Sequence, residues 1–490
     1  MNPHHPSSFM TTIIHRNHQT RLLLSFLLLF APCLWAQAAL NIRDFGAKGD
    51  GRTLDSPAIN AAIDSCSRSG GGTVVIPAGT YLCGSIRLKS HTHLMLESGS
   101  KIMAAPASMN AYDPAETFDG PQYQDGGHTY FHNSLIWAEA QEDIAITGYG
   151  MIDGEGLTKK DKEKGGNISG GGSIGTGDKA IALKCCRNVV IRDITIYRGG
   201  HFAIILTGCE RALIDHVTVD TNRDGIDIDC CRYTSVVNTQ VNTPRDDAIV
   251  LKSSYALGKP VPCEHVLINN CTVTGFRLGT FLDGTRQPEP VNWVCGRIKL
   301  GTESNGGYRD IAISNCTMMY SSGLAFEEVD QGRMENISVS NIVMEHVHHY
   351  PIYITTGCRN RGPKEITTPS YGGNISISHV TALDADSLAS IIITGMPDEP
   401  LRNISLDHIS IQYRGGGSAD LANRKYREQG KNYPEPKFSG PTPAYGLFAR
   451  HVDGLTLDHL AFTTIVPDHR PVMVLEDVKS KSITNVVPRK

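Results

Sequence analysis

"TNRDGIDIDCCRYTSVVNTQVNTPRDDAIVLKS", residues 221 to 253, states one pattern twice: a polar turn, an Arg and an Asp, then a short strand with alternating apolar positions. Asp224 and Asp247 stand 23 residues apart, and so do Ile226 and Ile249; a further acid, Asp246, sits beside the second. The same sentence recurs outward from this stretch. "CRNVVIRDITIYRGGHFAIILTG" starts at Cys186, "CERALIDHVTVDTNRDGIDID" at Cys209 and "CRYTSVVNTQVNTPRDDAIVLKS" at Cys231, at spacings of 23 and 22 residues. Later copies begin at Tyr308, Met334, Gly372, Leu401 and Val452. A period in the low twenties, with two or three short β-branched strands per period, marks a solenoid of stacked strands. The L-x-x-L-x-L pattern of leucine-rich repeats is absent, so the expected fold is all-β, a parallel β-helix.

In such a coil the residue one period on lies about 4.8 Å away on the next strand. Register then sets Ile226, Ile249, Ile298 and Leu324 in one inward column and Ile228, Leu251, Leu300 and Phe326 in another. Asp224 and Asp247 meet at the strand entrance with Asp246 beside them. Stacked carboxyls raise the proton affinity of at least one member. They can divide the breaking of a glycosidic bond between a protonated acid and an ionised group that activates water. An inverting arrangement needs about 6.5–9.5 Å between acid and base. Turn aspartates that bind backbone amides, or ligands of a structural Ca²⁺, are the plainer alternatives.

Composition agrees with a turn-rich solenoid: 490 residues carry 49 Gly, 25 Pro, 20% charged residues and a net charge of −4. The mildly acidic balance and the lack of a basic stripe argue against a nucleic-acid partner. Arg16 and Arg21 precede the apolar run 22–35 and the small-residue site Ala36-Gln37-Ala38. This predicts a signal peptide over 1–38 and one exported domain over 39–490, secreted or periplasmic, with no membrane span and expected as a monomer. The twelve cysteines after residue 38 show no CxxC spacing and read as packed thiols rather than disulfides or metal ligands. Six N-x-S/T sites, at Asn167, Asn270, Asn315, Asn336, Asn374 and Asn403, mostly recur at one position before a strand and read as turn residues rather than glycan acceptors. One amphipathic helix, about Ser56 to Ser67, can cap the open end of the coil. Loops 157–178, 276–294 and 415–446 can wall a groove.

The segments "DFGAKGDGRTLDSPAINAAID", "GGGTVVIPAGTYL", "GYGMIDGEG", "TNRDGID" and "RDDAIVLKS" together resemble glycoside hydrolase family 28, the polygalacturonase-like pectin hydrolases, over most of residues 41 to 480. The resemblance implies a right-handed parallel β-helix and inverting hydrolysis of galacturonan-type chains without a cofactor or metal. It implies Asp246 as general acid, with Asp224 and Asp247 positioning and activating water, and a poly- or oligosaccharide as partner. Asn222, Lys252, Arg297, Lys299 and Glu327 are the expected substrate-binding residues.

Two family motifs do not carry over. Cys295-Gly296-Arg297 stands where G-H-G is expected, without its histidine, and Ala325-Phe326-Glu327 where the basic R-I-K is expected. Arg297-Ile298-Lys299 reads R-I-K one rung early. Its basic side chains either take over contact with an anionic sugar or pair with acids, as Lys299 or Lys252 with Glu327. Glu327, Glu328 and Asp330 at that place are expected to repel a polyuronate, which brings rhamnogalacturonan or a terminal neutral sugar into range. His201, His346, His348 and His349 are candidates to replace the lost histidine, and Tyr353 and Trp293 to stack a sugar. Two other functions fit the same residues: a Ca²⁺-dependent lyase, with the three aspartates on the ion and Arg297 or Arg245 as base, and a glycan-binding solenoid without catalysis.

Overall fold

The computed structural model describes residues 39–118, 120–158, 175–290, 294–387 and 389–488. The expected leader, Trp293 and most of loop 157–178 lie outside the described residues. Strands of two to twenty residues run from Leu40 to Pro488, and every ladder between them is parallel, each strand pairing with its counterpart one period on. The chain winds as a parallel β-helix.

The strands that matter for the site are β1 (Phe202–Thr207), β2 (Asp224–Asp229), β3 (Ile249–Ser253), β4 (Ile298–Ser304) and β5 (Leu324–Glu328). Their register matches the repeat. Ile204, Ile226, Ile249, Ile298 and Leu324 pair in one column, and Leu206, Ile228, Leu251, Leu300 and Phe326 in the next. All ten side chains are fully buried. Large apolar side chains at the same two positions of each rung fill the coil's interior, and each contributes about 1.5–3 kcal/mol through burial. Because the side-chain period is two, the residues between them must face away from that core.

The corners are set by asparagine. Asn270, Asn315, Asn336, Asn374 and Asn403 all have φ between 52° and 59°. Asparagine tolerates this left-handed conformation because its short amide finds local partners. Those amides also bridge rungs: Asn374 donates to Asn336, and Asn403 to Asn374. The predicted helix, α1, spans Ser56–Arg68 and turns Ile59, Ala62, Ile63 and Cys66 into the core. It packs on the first strands and covers the end of the coil. The twelve cysteines after residue 38 are all free, ten of them buried.

Candidate active site

The outward column on β1 to β5 is apolar along most of its length, and charge enters at two places. Trp137, Ala182 and Ile205 lead to Asp227, Val250 and Lys299, then to Ala325, Tyr353 and Ile392. Here the turns before β2 and β3 bring in Asp224, Asp246 and Asp247, which line a cavity of about 280 Å³. Asp125, His201, Phe202, Arg223, Lys252, Lys299, Thr302, Glu303, Arg361 and Tyr433 complete its wall.

The two turns are tied to each other. The Asp247 amide donates to Asp224 Oδ1 at 3.3 Å, and the Gly225 amide to the Asp247 carbonyl at 2.9 Å. The segment 295–297 clamps the second turn from the next rung: Gly296 N donates to the Asp246 carbonyl and Ala248 N to that of Arg297. Gly296, in the middle of the segment where the resemblance places a histidine, has φ +56°, and a Cβ there would lie 2.8 Å from the Thr274 carbonyl oxygen. Its neighbour Cys295 donates to Asp247 Oδ1 at 3.2 Å. Contact with the carboxylate thus comes from a thiol and a guanidinium.

Electrostatics separate the acids. Asp224 is fully buried, and burial followed by repulsion from Asp246 pushes its carboxyl up to about 7. Asp247 is equally buried, which alone would raise it, but Arg297 and Lys299 hold it below the ordinary carboxylate range. Arg297 Nε reaches Asp247 Oδ1 at 2.5 Å, and Lys299 Nζ lies 3.5 Å from Oδ2. Asp246 is the most exposed of the three, with 21% of its side chain accessible. The nearest side-chain oxygens of Asp246 and Asp247 lie within 4.8 Å of each other. That is below the spacing expected of an inverting pair, because the two are sequence neighbours and only Asp224 stands a rung away.

The expected binding residues divide. Lys252 and Lys299 line the cavity; Asn222, Arg297 and Glu327 do not. Arg297 is buried between Asp247, Tyr350 and Glu435, with Nη2 2.6 Å from Glu435 Oε1. Glu327 is fully buried, pushed up to about 7 by that burial, and pairs with Lys299 at 3.3 Å. The alternative in which Lys299 bridges to Glu327 is therefore the one observed. Glu328 accepts the Gly332 amide, and Asp330 pairs with Arg359. The expected repulsion of a polyuronate by Glu327, Glu328 and Asp330 is corrected on this point: all three are buried among partners rather than lining this cavity.

Among the histidines, His201 lines the cavity, stacked on Phe202 and held neutral by burial, which lowers it to about 4. His346 pairs with Asp384, and His349 lines a separate cavity with Asp386 and Lys437. Tyr353 is buried on the outward face, packed with Tyr350, Tyr426 and Phe448. Sequence reasoning missed Arg223, Glu303, Arg361, Tyr433 and Glu435 as site residues. The last two come from loop 415–446, whose excursion was visible but whose landing place no repeat encodes.

Two family models match the chain: "Rhamnogalacturonase A/epimerase, pectate lyase-like" over residues 39–165 and "Right handed beta helix region" over residues 162–287. A probable polygalacturonase of Vitis vinifera is 26% identical over 301 residues, 56% of this chain and 60% of that protein. The plasmin and fibronectin-binding protein A of Streptococcus pneumoniae is 35% identical over 183 residues, 36% of this chain and 23% of that protein. The chain thus spans less than two thirds of either relative. The family 28 exopolygalacturonase structure from Yersinia enterocolitica superposes with a TM-score of 0.65 at 19% identity, covering 92% of this chain and 79% of that one. The coil is a right-handed parallel β-helix, and the chain is a divergent relative of the family 28 polygalacturonase-like proteins.

Proposed function

We propose that this protein is an exported glycoside hydrolase that cleaves a pectin-type polysaccharide, galacturonan or rhamnogalacturonan, by acid–base catalysis at Asp224, Asp246 and Asp247. The observation that carries the reading is the split among carboxyls in one cavity: Asp224 is pushed up to about 7 while Asp247 is held ionised. Environments that force neighbouring acids apart in proton affinity identify acid and base. Asp246, the most exposed, gives its proton to the leaving oxygen. Repulsion between Asp224 and Asp246 favours holding a proton on one of the two. Asp247 takes the proton of the attacking water, and its pairing with Arg297 and Lys299 suits it to the base's part and disfavours attack on carbon. The water's oxygen forms the new bond to the anomeric carbon as the glycosidic bond breaks, an inverting displacement that requires the Asp246 and Asp247 carboxyls, within 4.8 Å of each other in the free site, to part as sugar and water enter. The same two cations speak against the lyase alternative, because a Ca²⁺ bound at Asp247 would have to displace or sit against them.

A second reading, a glycan-binding solenoid without catalysis, is supported by the missing motif histidine at Cys295-Gly296-Arg297, and the similarity to the pneumococcal plasmin and fibronectin-binding protein favours a binding role without pointing to a glycan. Release of reducing ends from polygalacturonan, rhamnogalacturonan and rhamnosylated oligosaccharides, with chelator present, separates the two. The expected result is chelator-insensitive release by the wild type that falls at least about 10³-fold in Asp246→Asn. Binding by both proteins with release by neither supports the second reading instead.

A further inference from the structure

The cations around the cavity differ in how far they are already matched. Lys252 Nζ lies 3.4 Å from Asp227 and 3.6 Å from Glu303. Lys299 sits among Asp247, Glu327 and Glu435, and Arg297 between Asp247 and Glu435. Turning any of these toward a ligand would strand a buried carboxylate, a strongly unfavourable change. The basic residues that the resemblance would assign to substrate are thus engaged in holding the base and a distant loop together.

Arg223 is different. It precedes Asp224 on the turn, lines the cavity and keeps 18% of its side chain accessible. Asp246 Oδ2 is 3.8 Å from its Nε, beyond hydrogen-bond length, and that Nε is buried without a hydrogen-bond partner. Among the described residues its guanidinium makes no hydrogen bond, so the fork of donors beside Asp246 has unfilled capacity. Arg361 is also loosely paired, 3.8 Å from Glu303, but its side chain is 46% exposed and its donors are met by solvent. A half-enclosed guanidinium gains most from a planar, bidentate anion, since water satisfies it poorly and a carboxylate matches its geometry.

We propose that Arg223 is the specificity residue of this cavity and binds the carboxylate of an acidic sugar seated beside Asp246, a task that Arg297 and Lys299 cannot perform here. This rests on the glycosidase reading for its consequence in catalysis, though not for the binding itself. An anion drawn onto Arg223 both occupies a cation 3.8 Å from Asp246 and adds negative charge beside it. Each change favours the protonated form of Asp246, so an acidic sugar would load the acid that cleaves its own bond, and a neutral sugar would not.

The test is binding of D-galacturonate and of D-galactose, which differ in carboxylate against hydroxymethyl, by calorimetric titration of the whole protein. The wild type is expected to prefer galacturonate at least about tenfold, the yield of one charge-assisted bidentate contact. Arg223→Gln should abolish the preference with galactose affinity unchanged, and Arg361→Gln should retain it. Arg223→Lys, which keeps the charge without the fork, should lose several-fold and decides the matter if the Gln variant does not fold. Preference that survives in Arg223→Gln or is undiminished in Arg223→Lys, loss of it in Arg361→Gln alone, or a wild type with no preference or no binding overturns the proposal. A wild type that prefers galacturonate through Arg223 yet releases no reducing ends would leave the inference standing and the hydrolase reading refuted.

Discussion

Replacing Asp224 by asparagine should stabilise the protein, and by an amount that grows with pH. The folded carboxyl is pushed up to about 7 from an ordinary value of 3.8. Between those values the folded chain keeps a proton that the unfolded chain has released, so stability falls as pH rises through the window and the loss is complete only above about pH 7. A rise of that size corresponds to about 4 kcal/mol, an upper figure because the titration of Asp224 is tied to that of its charged neighbours. Asparagine is near-isosteric with the protonated acid and stays neutral. It can still accept from the Asp247 amide through its carbonyl, as Asp224 Oδ1 does. At about 2.1 cal/mol/K per residue, a chain of this size unfolds with an entropy of about 1 kcal/mol/K, so the difference in Tm between variant and wild type should grow by about 3–4 °C from pH 4 to pH 8. Differential scanning calorimetry at half-unit pH steps reads it. A difference that is flat with pH, or that moves in the wild type's favour on raising the pH, refutes the account of Asp224 as a buried proton-holding group.

Arg297→Gln should act in the opposite sense on Asp247, since it removes a cation that keeps that carboxylate ionised and leaves Glu435 short of its partner; we expect a loss of about 3–5 kcal/mol in stability and an acid limb of the pH–activity profile moved to higher pH, and an unmoved limb would detach Arg297 from the base. The cysteines give a simpler outcome: with all twelve described cysteines free, reductant should leave Tm unchanged within about 1 °C, and mass spectrometry after brief native alkylation should find Cys185 and Cys358 labelled ahead of the buried thiols.

What was legible in the sequence is what repeats. The pairing of Ile226 with Ile249 and Ile298 follows from a 22- to 23-residue period and a side-chain period of two, and the left-handed asparagines follow from their constant place before each strand. Asp224 and Asp247 could be brought together on that basis alone. The rest of the site does not repeat. Lys299 and Glu327 meet because Lys299 points out of the coil one rung before Glu327, a relation the register contains, whereas Glu435 reaches Arg297 across 138 residues through a loop that obeys no period. The sequence shows that such a loop exists and how long it is, and no more.

This division explains why the early R-I-K string misleads. Position in the repeat makes Arg297 and Lys299 outward-facing cations, which reads as a surface for an anionic substrate; the loop then supplies Glu435, and the two cations become the internal braces of Asp247. A cation's role on a solenoid face is thus fixed by what covers the face. Arg223 keeps its capacity for a ligand because nothing in the described chain covers it with an acid closer than Asp246. The same comparison makes a prediction of the loop itself. Glu435→Gln should weaken the brace without adding an unpaired charge to the cavity wall, and so should cost less stability than Arg297→Gln, which leaves two buried carboxylates, Asp247 and Glu435, to share Lys299. Chemical denaturation of the two variants side by side ranks them, and an equal or larger loss in Glu435→Gln would show that the loop, rather than the charge balance at Asp247, is what the brace secures.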